Sequence, residues 1–462
     1  MEGVAERVIE RGAGVDVHKK SFNATIVNKH AVIAETKLPN DIHGARSLLQ
    51  FLEQHQCSEI AIESTGPYWM GVYDYLTQHG IKVLLANPAS MKAIVGKKTD
   101  RVDAMLLAYL HLAGLIRPSY VPDKRYRELR DLCRTRDKIV KIKTMIKNAT
   151  TSQLHTFSSE ITSVFSDTFG RSGMKVLRTI LEEIDLGNEE CHTSDGQGNK
   201  GYRATDPVGI ASIRDKLRKD GLKEIKVAKV ECALSRAYTP SINTGVVEFY
   251  LRLVEHLERT VKEMDETLAR LICEDHRIGR QVMFLISIPG VDLVTAVSMV
   301  AEICEVSRFP SDKAMVGYVG LAPSVHQSGS KHTTGRITKR GSPHARRVYY
   351  QAAMAIIRTG QSGSPEMVEF YNRVKSRKGH KVAAVALARK LASTTYFMLS
   401  RNQEYHSYLE SEKDRRKRKI RLIKSRAKKA KDRQASLAYV LDLAKKMELL
   451  EVIPEELRAL CE

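Results

Sequence analysis

The N-terminal part of the chain alternates apolar and polar positions with two different periods. Three short β-branched segments between Ala13 and Lys37 are separated by polar turns, GVDVHK, FNATIVN and AVIAETKL, and this spacing predicts an antiparallel meander. The next stretch, DIHGARSLLQFLEQH, has a helical period, with these apolar residues on one face: Ala45, Leu48, Leu49 and Leu52. Strand-like EIAIEST and IKVLLAN then alternate with helix-like YWMGVYDYLTQHG and with a helical pattern from Pro88 to Leu115. The pattern predicts a mixed α/β sheet.

The strand pattern ceases at about Asp123, and long helices are predicted from there on. Residues 126–157 form a basic helix whose apolar stripe comprises Leu129, Leu132, Ile139, Ile142 and Ile146. A second stripe repeats at spacings of 4, 3, 4 and 3, the a/d seam of a coiled coil, through Leu257, Val261, Met264, Leu268 and Leu271. Helices of this kind would pair with each other or with another subunit. Between them, residues 187–207 are rich in Gly, Asn, Ser and Asp and are predicted to form an exposed loop.

A second compact unit is predicted from about Gln281 to Ser400. It opens with ISIPGVDLVTAVSMVAEI, a Pro-Gly turn between two apolar helices, which is typical of a helix-hairpin-helix; free amides at the start of the second helix could hold a phosphate. The pattern therefore predicts an α/β domain at 1–120, a helical coiled-coil connector at 121–278, a mainly helical domain at 279–402 and a basic helical extension at 403–462.

The net charge of the chain indicates which class of partner it binds. Lys and Arg outnumber Asp and Glu, 75 against 54, for a formal charge of +21, and an excess of this size favours a polyanion, with nucleic acid first. Thirteen of these cations, against two Asp, lie between Lys413 and Arg433; such a run attracts nucleic acid without sequence specificity, and we assign it no catalytic role.

The remaining composition indicates a cytoplasmic protein. The longest apolar runs, such as VAAVALA at 382–388, are far shorter than the roughly 20 residues of a membrane span, so no span is expected. The N-terminus lacks the apolar region of a secretory signal. Seven scattered cysteines, an odd number without a C-x-x-C pair, indicate free thiols in a reducing compartment and no zinc site.

Four carboxylates are the first candidates for chemistry. Asp16 interrupts an apolar strand and Glu63 ends a later one, so the two could converge where adjacent strands end at one edge of a sheet. Asp100 and Asp103 are three residues apart; on a helix they share a face and could join the other two. The alternative for this pair is that acids in a first turn cap a helix and complement its dipole.

Carboxylates this close repel each other unless divalent cations neutralise them. Hard oxygen ligands suit Mg²⁺, and also Mn²⁺. Paired metal ions would activate the attacking oxygen and stabilise the leaving oxygen in phosphoryl transfer.

At this point the sequence resembles a known family. It is similar to the insertion-sequence one-ten transposases, a DEDD-type group that is related to Piv DNA invertases and is understood as bridge-RNA-guided recombinases. The motifs that carry the resemblance are GVDVHK, AIESTGPY, NPASMKAIVGKKTDRVDAMLLA, IPGVDLVTAVSMVAEI, VGYVGLAPSVHQSGSKHTTGRITKRG and KVAAVALARKLA. The resemblance covers most of residues 12–400, and the order and separation of KTDRVDA and GRITKRG make it specific.

The resemblance implies a RuvC-like domain of the ribonuclease-H fold, whose D-E-D-D set falls on Asp16, Glu63, Asp100 and Asp103, followed by a helical coiled-coil connector and a C-terminal transposase domain with a nucleophilic serine. By its position before the glycine in SVHQSGSK the serine is Ser328. Family members commonly have S-S-G-G there, so Ser330 and Ser324 remain alternatives.

Cations near these motifs are candidate nucleic-acid contacts. Positive charge close to the serine could hold a scissile phosphate and its transition state, and the cations concerned are Lys331, Arg336, Lys339, Arg340, Arg346 and Arg347. Beside the aspartate pair, we expect phosphate or RNA contacts from Lys97, Lys98 and Arg101.

The function we predict is an RNA-guided DNA recombinase that cuts and rejoins donor and target DNA with Mg²⁺ and a covalent phosphoserine intermediate. The family mechanism implies a dimer or tetramer, a structured bridge RNA as partner and a place at the prokaryotic nucleoid. Two alternatives stay open: a metal-dependent nuclease or junction resolvase without a serine intermediate, and a nucleic-acid-binding scaffold without catalysis.

Overall fold

The computed structural model describes most of the chain in two compact units, residues 1–123 and 124–462. The described residues are 10–63, 66–86, 100–116, 118–193, 206–237, 243–328, 331–360 and 364–406, with short helical pieces between 416 and 445.

The N-terminal unit contains a five-stranded sheet of mixed direction. The strands are β1 (Gly12–Val17), β2 (Ser21–Val27), β3 (Val32–Pro39), β4 (Glu59–Glu63) and β5 (Lys82–Ala86). Their order in the sheet is β3-β2-β1-β4-β5; β2 runs antiparallel to both β3 and β1, and β4 and β5 run parallel to β1. The predicted meander and mixed sheet are confirmed.

The part of this unit that the structure describes contains three helices: α1 (Ile42–Gln54), α2 (Trp69–Gln78) and α3 (Asp100–Leu112). α1 begins where the Asp41 carboxylate accepts a hydrogen bond from the Gly44 amide at 2.8 Å. Its predicted apolar face, from Ala45 to Leu52, is buried in the sheet core. Residues 87–99, which fall in the predicted helical stretch from Pro88, lie outside the described residues.

α3 lies directly on the central strand because β1 has glycines at two alternate positions. A Cβ at Gly12 would stand 2.2 Å from the carbonyl oxygen of Ala108, and one at Gly14 would stand 2.3 Å from that of Ala104. Backbone oxygens cannot move aside as a flexible side chain can. The two glycines are therefore required for this approach of helix to strand.

A buried histidine fixes the far end of α3 to the sheet. The Ala13 amide donates to Nδ1 of His111 at 3.2 Å, and Nε2 of the same ring lies 3.4 Å from the Glu59 carboxylate, which also accepts from Lys82 at 2.9 Å. Burial lowers the pKa of His111. The neutral ring therefore accepts at Nδ1 and donates at Nε2, and it joins α3, β1 and β4.

The C-terminal unit is built around two long antiparallel helices, α4 (Lys124–Phe157) and α8 (Thr244–Glu274). Ion pairs join them along their length, Arg136 to Asp265 at 2.5 Å and Lys147 to Glu258 at 3.0 Å. Val261 and Leu268 of the predicted seam are buried. Of the two arrangements predicted for these helices, pairing with each other is the one found within a single chain.

One end of this helix pair carries a small helical core. It contains α5 (Arg171–Thr193), α6 (Pro207–Lys219) and α7 (Glu224–Ser235), with a short 3-10 turn at Ile161–Ser163. Leu154 and Phe157 of α4 and Val247 and Leu251 of α8 are buried in it.

The predicted loop at 187–207 needs correction at both ends, because residues 187–193 complete α5 and Pro207 already begins α6. A single glycine followed by NEEC does not stop a helix that is held by its preceding turns. Residues 194–205 lie outside the described residues.

The other end of the helix pair enters a larger core. Its helices are α9 (His276–Ile286), α10 (Leu293–Ile303), α11 (Asp312–Val319), α12 (Pro343–Thr359) and α13 (Pro365–Ser400), with a 3-10 turn at Val306–Arg308. An antiparallel hairpin, β6 (Pro323–Ser328) and β7 (Lys331–Ile337), lies between α11 and α12. The expectation that strands cease after Asp123 was wrong here, because a short polar hairpin has too few apolar residues for its period to register.

The basic C-terminal extension also contributes to this core. Its described pieces are helical, and Ile423, Ala427, Val440 and Ala444 are almost fully buried there. Within each pair, Ile423 with Ala427 and Val440 with Ala444, the spacing of four residues is that of one helix face. The extension is thus held to the unit by an apolar face, which the density of Lys and Arg conceals in the sequence.

Among the described helices, α13 alone is long and apolar enough to cross a membrane by length and composition. Half of its apolar window is buried inside the unit, and the chain breaks direction at Gly379. A core helix passes the same test, so this is weak support for a span.

The approach of α3 to β1 can be tested at Gly14. We expect Gly14→Ala to force α3 away from the sheet and to lower the free energy of unfolding by about 1 to 3 kcal/mol, as overpacking does. Gly71→Ala in α2 is the control, because nothing lies within 4 Å of its added Cβ and alanine favours a helix interior by roughly 0.5 to 1 kcal/mol. Thermal melts of the full chain, with hydrogen exchange at β1, measure both; equal melting temperatures would contradict the role of Gly14.

Candidate active site

Asp16 and Glu63 lie side by side at the ends of neighbouring parallel strands. The register pairs Val15 of β1 with Ile62 of β4, and the two acids are the next residue on each strand. Adjacent strands are about 4.8 Å apart. The two acids are 4% and 6% exposed, so two carboxylates lie at a mostly buried edge of the sheet.

His18 contacts Asp16 at this edge. Its Nε2 lies 3.0 Å from Oδ2 of Asp16, and nearly half of the imidazole is exposed. The ring therefore stands between the buried carboxylate and solvent, where an imidazole can hold or pass on a proton.

The other two predicted carboxylates stand on the first turn of α3. Asp100 is its first residue and Asp103 is half-buried one turn later; the side chain of Asp100 and those of Arg101 and Val102 lie outside the described residues. Among the side chains that are described, no three of Asp, Glu, His and Cys lie close enough together to hold a metal ion. The cations Lys97 and Lys98, which precede this helix, lie outside the described residues.

The predicted nucleophile is placed at the tip of the β6–β7 hairpin. Ser328 is the last residue of β6 and is paired in register with Lys331, the first residue of β7. Its alternative Ser330 lies outside the described residues. The other alternative, Ser324, faces Gly335 across the hairpin, where a Cβ would stand 2.4 Å from the serine Oγ. The segment predicted as a polar loop therefore contains two paired strands, and Ser328 ends the first of them.

A rigid basic turn, residues 338–342, follows the hairpin. Lys339 has a positive φ of 54° and Gly341 one of 113°, and a Cβ at Gly341 would stand 2.1 Å from the carbonyl oxygen of Tyr318. The Ser342 amide donates to that same oxygen at 3.0 Å, and the Thr338 amide donates to Ala322 at 2.8 Å. Lys339 and Arg340 are both exposed on this turn.

The other predicted cations of this region divide into two groups. Arg336 is exposed. Arg346 donates to the carbonyl oxygen of Lys339 at 3.1 Å, and Arg347 forms an ion pair with Asp137 of α4. These two guanidinium groups therefore support the turn and its helix, while the exposed cations face solvent.

Glu302 is the residue that holds the basic turn in place, and sequence reasoning missed it. It is 3% exposed. Arg134 of α4 donates to both of its oxygens, at 2.8 and 3.0 Å, and Ser342 Oγ donates to it at 2.8 Å. Ser342 in turn caps α12 by accepting from the Ala345 amide at 3.1 Å. The available signal was a single acid at the end of the apolar helix LVTAVSMVAEI.

The start of α10 differs from the phosphate site that a helix-hairpin-helix suggests. The carboxylate of Asp292 accepts from the Thr295 amide at 2.8 Å. A free amide of the first turn is thus already used, and the negative charge at this position repels a phosphate. The predicted turn between two helices is present between α9 and α10, with Gly290 at a φ of 84° in the turn.

Two family models match the chain, one from β1 through α4 and the other within the C-terminal unit. A transposase model of the DEDD type matches residues 13–158, and a model described as the IS116/IS110/IS902 family of transposases matches residues 283–372. The first match begins in β1 and includes all four candidate carboxylates. The second includes the β6–β7 hairpin, Glu302 and the basic turn.

Whole proteins show the same similarity. A transposase for insertion sequence element IS1111A of Coxiella burnetii is 31% identical over 26% of this chain and 33% of its own length. A probable family 20 transposase of Pseudomonas aeruginosa is 23% identical over 85% of this chain and 97% of its own length. A pilin gene-inverting protein of Moraxella bovis is 21% identical over 85% and 96%. The chain thus spans a third of the first relative and nearly all of the other two.

The support that Glu302 gives to the basic turn predicts an acid-sensitive stability. Burial alone would raise the pKa of Glu302, but hydrogen bonds from Arg134 and Ser342 outweigh it and hold the pKa below its usual 4.5. A lowered folded-state pKa stabilises the fold above the unfolded value and loses that effect as the pH falls through the folded value. We expect Glu302→Gln to cost about 2 kcal/mol at neutral pH and to cost less below about pH 4.5.

Thermal melts of both proteins across this pH range measure the difference. Glu305→Gln is the matched control, since Glu305 is 45% exposed and pairs with Arg277 at 3.2 Å; exposed pairs contribute at most about 1 kcal/mol. If the loss of unfolding free energy caused by Glu302→Gln stayed constant as the pH is lowered, this would contradict an ionised Glu302 bound to Arg134.

Proposed function

The chain belongs to the IS110 family of transposases, and from that premise we propose that it is a recombinase that cuts and rejoins donor and target DNA under the guidance of a structured bridge RNA. The proposal assigns the four N-terminal carboxylates to one site and Ser328 to the covalent step. The observation that carries it is the pairing of buried Asp16 and Glu63 at adjacent strand ends.

The N-terminal domain is proposed to be RuvC-like, with the ribonuclease-H fold. Support comes from the sheet order β3-β2-β1-β4-β5, in which a three-stranded meander is followed by two parallel strands. In this arrangement β1 is the central strand, and its carboxyl end is next to that of β4.

The register of α3 on β1 supports the inclusion of Asp100 and Asp103. Gly12 lies against Ala108 and Leu112, and Gly14 lies against Ala104 and Ala108. A step of two residues along the strand thus corresponds to a step of four residues along the helix. The two steps have similar lengths, about 6.6 Å for the strand and about 6 Å for the helix. One more step of this register would take Asp16 to the first turn of α3, where both aspartates stand.

The donor set fits a hard divalent cation. Two buried carboxylates beside two more are unfavourable without positive charge, and oxygen ligands of this kind suit Mg²⁺, with Mn²⁺ as an alternative. When bound, the ion would neutralise this charge and polarise the oxygens of a scissile phosphate. Asp16, Glu63, Asp100 and Asp103 would hold it, and His18 would accept or return a proton next to Asp16.

In the proposed covalent step, Ser328 Oγ attacks the phosphorus of a DNA phosphodiester. The new Oγ–P bond forms as the bond from phosphorus to one deoxyribose oxygen breaks, and the serine proton ends on that leaving oxygen as a hydroxyl group. Attack by a hydroxyl of a second strand reverses the step, releases the serine and rejoins the DNA. The exposed cations Arg336, Lys339 and Arg340, together with Lys331, would bind the phosphate and its transition state.

We further propose that the site is completed between subunits, in a dimer or tetramer. Apolar side chains exposed on the long helix α4 support this, since Ile142 is 46% and Met145 68% exposed. A two-helix arm with exposed apolar residues can bury them against another copy.

Protein-linked DNA is the product that tests the function. Full-length protein, its RNA, both DNA partners and Mg²⁺ are incubated, and the products are separated on a denaturing gel. We expect an adduct with the wild type, none with Ser328→Ala, and at least a roughly hundredfold loss with Asp16→Asn, the scale of losing transition-state charge stabilisation. Glu53→Gln, an exposed acid of α1 in the same unit, is the control and should react normally.

Each alternative gives a different result. An adduct that survives Ser328→Ala but not Ser324→Ala or Ser330→Ala moves the nucleophile. DNA cleavage without an adduct in any variant favours a metal-dependent nuclease or resolvase. Full strand exchange by Asp16→Asn would overturn the carboxylate site.

A further inference from the structure

A cationic surface lies where α13 changes direction, far in sequence from the cations assigned above. The helix merges two segments across Gly379, whose φ of 78° and ψ of 169° are adopted almost only by glycine. Residues 375–382 are eight successive exposed residues around this bend. We refer to residues 373–382 as the cationic corner.

The cationic corner carries positive charge without neutralising acids. Its cations are Arg373, Lys375, Arg377, Lys378 and Lys381, and no Asp or Glu occurs anywhere from 370 to 403. None of the five forms an ion pair with any residue that the structure describes. Other exposed cations of this unit do form ion pairs, as Arg178 does with Glu255 at 2.6 Å.

This charge opposes folding of the helix on which it stands. Arg373 and Arg377 are four residues apart, and like charges at this spacing destabilise a helix by about 0.2 to 0.5 kcal/mol. Arg373 and Lys375 each lie 5.7 Å from an aromatic ring, of Phe370 and of Tyr371, but no ion pair with a described acid offsets the repulsion. A charge cluster of this kind is stabilised when a polyanion binds it.

The cationic corner is also held rigidly. Tyr371, 5% exposed, forms a hydrogen bond of 2.7 Å between its hydroxyl and Nδ1 of His380, so the two helical segments are tied across the bend. The second segment is fixed by Leu387 and Leu391 in the core. The backbone that carries the cations is therefore already ordered, and binding has to order only their side chains.

We propose that the cationic corner binds the phosphate backbone of duplex DNA, as a contact separate from the β6–β7 hairpin and the basic turn. Duplex DNA presents closely spaced phosphates on a stiff rod, which matches fixed, unneutralised cations. That DNA, and not RNA, is the partner rests on the proposed function. Backbone contacts position the duplex without reading its sequence.

The test is the salt dependence of DNA binding by the full chain. The variant Lys375→Gln, Arg377→Gln, Lys378→Gln, Lys381→Gln is titrated with fluorescent duplex DNA from about 50 to 200 mM salt. Each lost phosphate contact lowers the slope of log K against log salt by about 1, so we expect the slope to fall by about 3 to 4 and affinity to fall equally for unrelated sequences.

A matched variant removes the same number of charges from paired positions. Arg178, Arg214, Arg218 and Arg252 each form an ion pair with a glutamate, and we expect their replacement by Gln to leave the slope within about 1 of wild type. Equal slopes for the two variants would overturn the proposal, as would a loss confined to duplex RNA. Circular-dichroism melts confirm that both variants fold.

This titration needs no strand cleavage, so its outcome is independent of the adduct assay. If the wild type forms adducts but the cationic-corner variant keeps the salt slope of the wild type, only the proposal for the cationic corner is overturned. A changed slope in a protein that never forms an adduct supports the corner and contradicts the proposed chemistry.

Discussion

Close contact between a helix and a central strand is the constraint on which the N-terminal unit depends. α3 can lie on β1 only because Gly12 and Gly14 have no Cβ to meet the carbonyl oxygens of Ala108 and Ala104. The same contact fixes the register of the helix, and so decides which of its residues reach the edge where Asp16 and Glu63 end their strands. His111 fastens the opposite end through β1 and Glu59. A helix held at one end by a histidine and along its length by glycines has little freedom to move its first turn.

In the C-terminal unit, helices are held in position by a buried charge. Glu302 is buried, so its charge is stable only with the two hydrogen bonds from Arg134 and the one from Ser342. Those bonds join α4, α10 and α12, and the last of them lies at the turn that presents Lys339 and Arg340. Positive charge at the surface is thus positioned by a negative charge in the interior.

Much of the N-terminal fold was predictable from the sequence, because its elements have clear periods. The meander, the apolar face of α1 and the two parallel strands each agree with the pattern, and Asp16 and Glu63 were found as acids at strand ends. Spacing alone could give Asp100 and Asp103 only a shared helix face, since the approach of α3 depends on backbone contacts of two glycines. The β6–β7 hairpin was missed because its residues are polar on both faces. Glu302 was missed because a buried charge is recognised by its partners, and those lie 168 and 40 residues away in sequence.

The helix pair of α4 and α8 has a consequence for how the C-terminal unit is assembled. Residues from α5 to α7 form a core of their own between the far ends of the two helices, about 32 Å of helix away from the larger core at Cys133. The chain enters this small core through α4 and leaves it through α8, side by side. The small core is therefore an insertion in a helical hairpin: its residues come from Leu154 to Leu251, whereas those of the larger core come from Tyr126 to Ala444, so the small core closes shorter loops and is expected to form earlier. A change in the length of the inserted segment, such as around residues 194–205, therefore need not alter how α4 pairs with α8 or how both helices pack in the larger core.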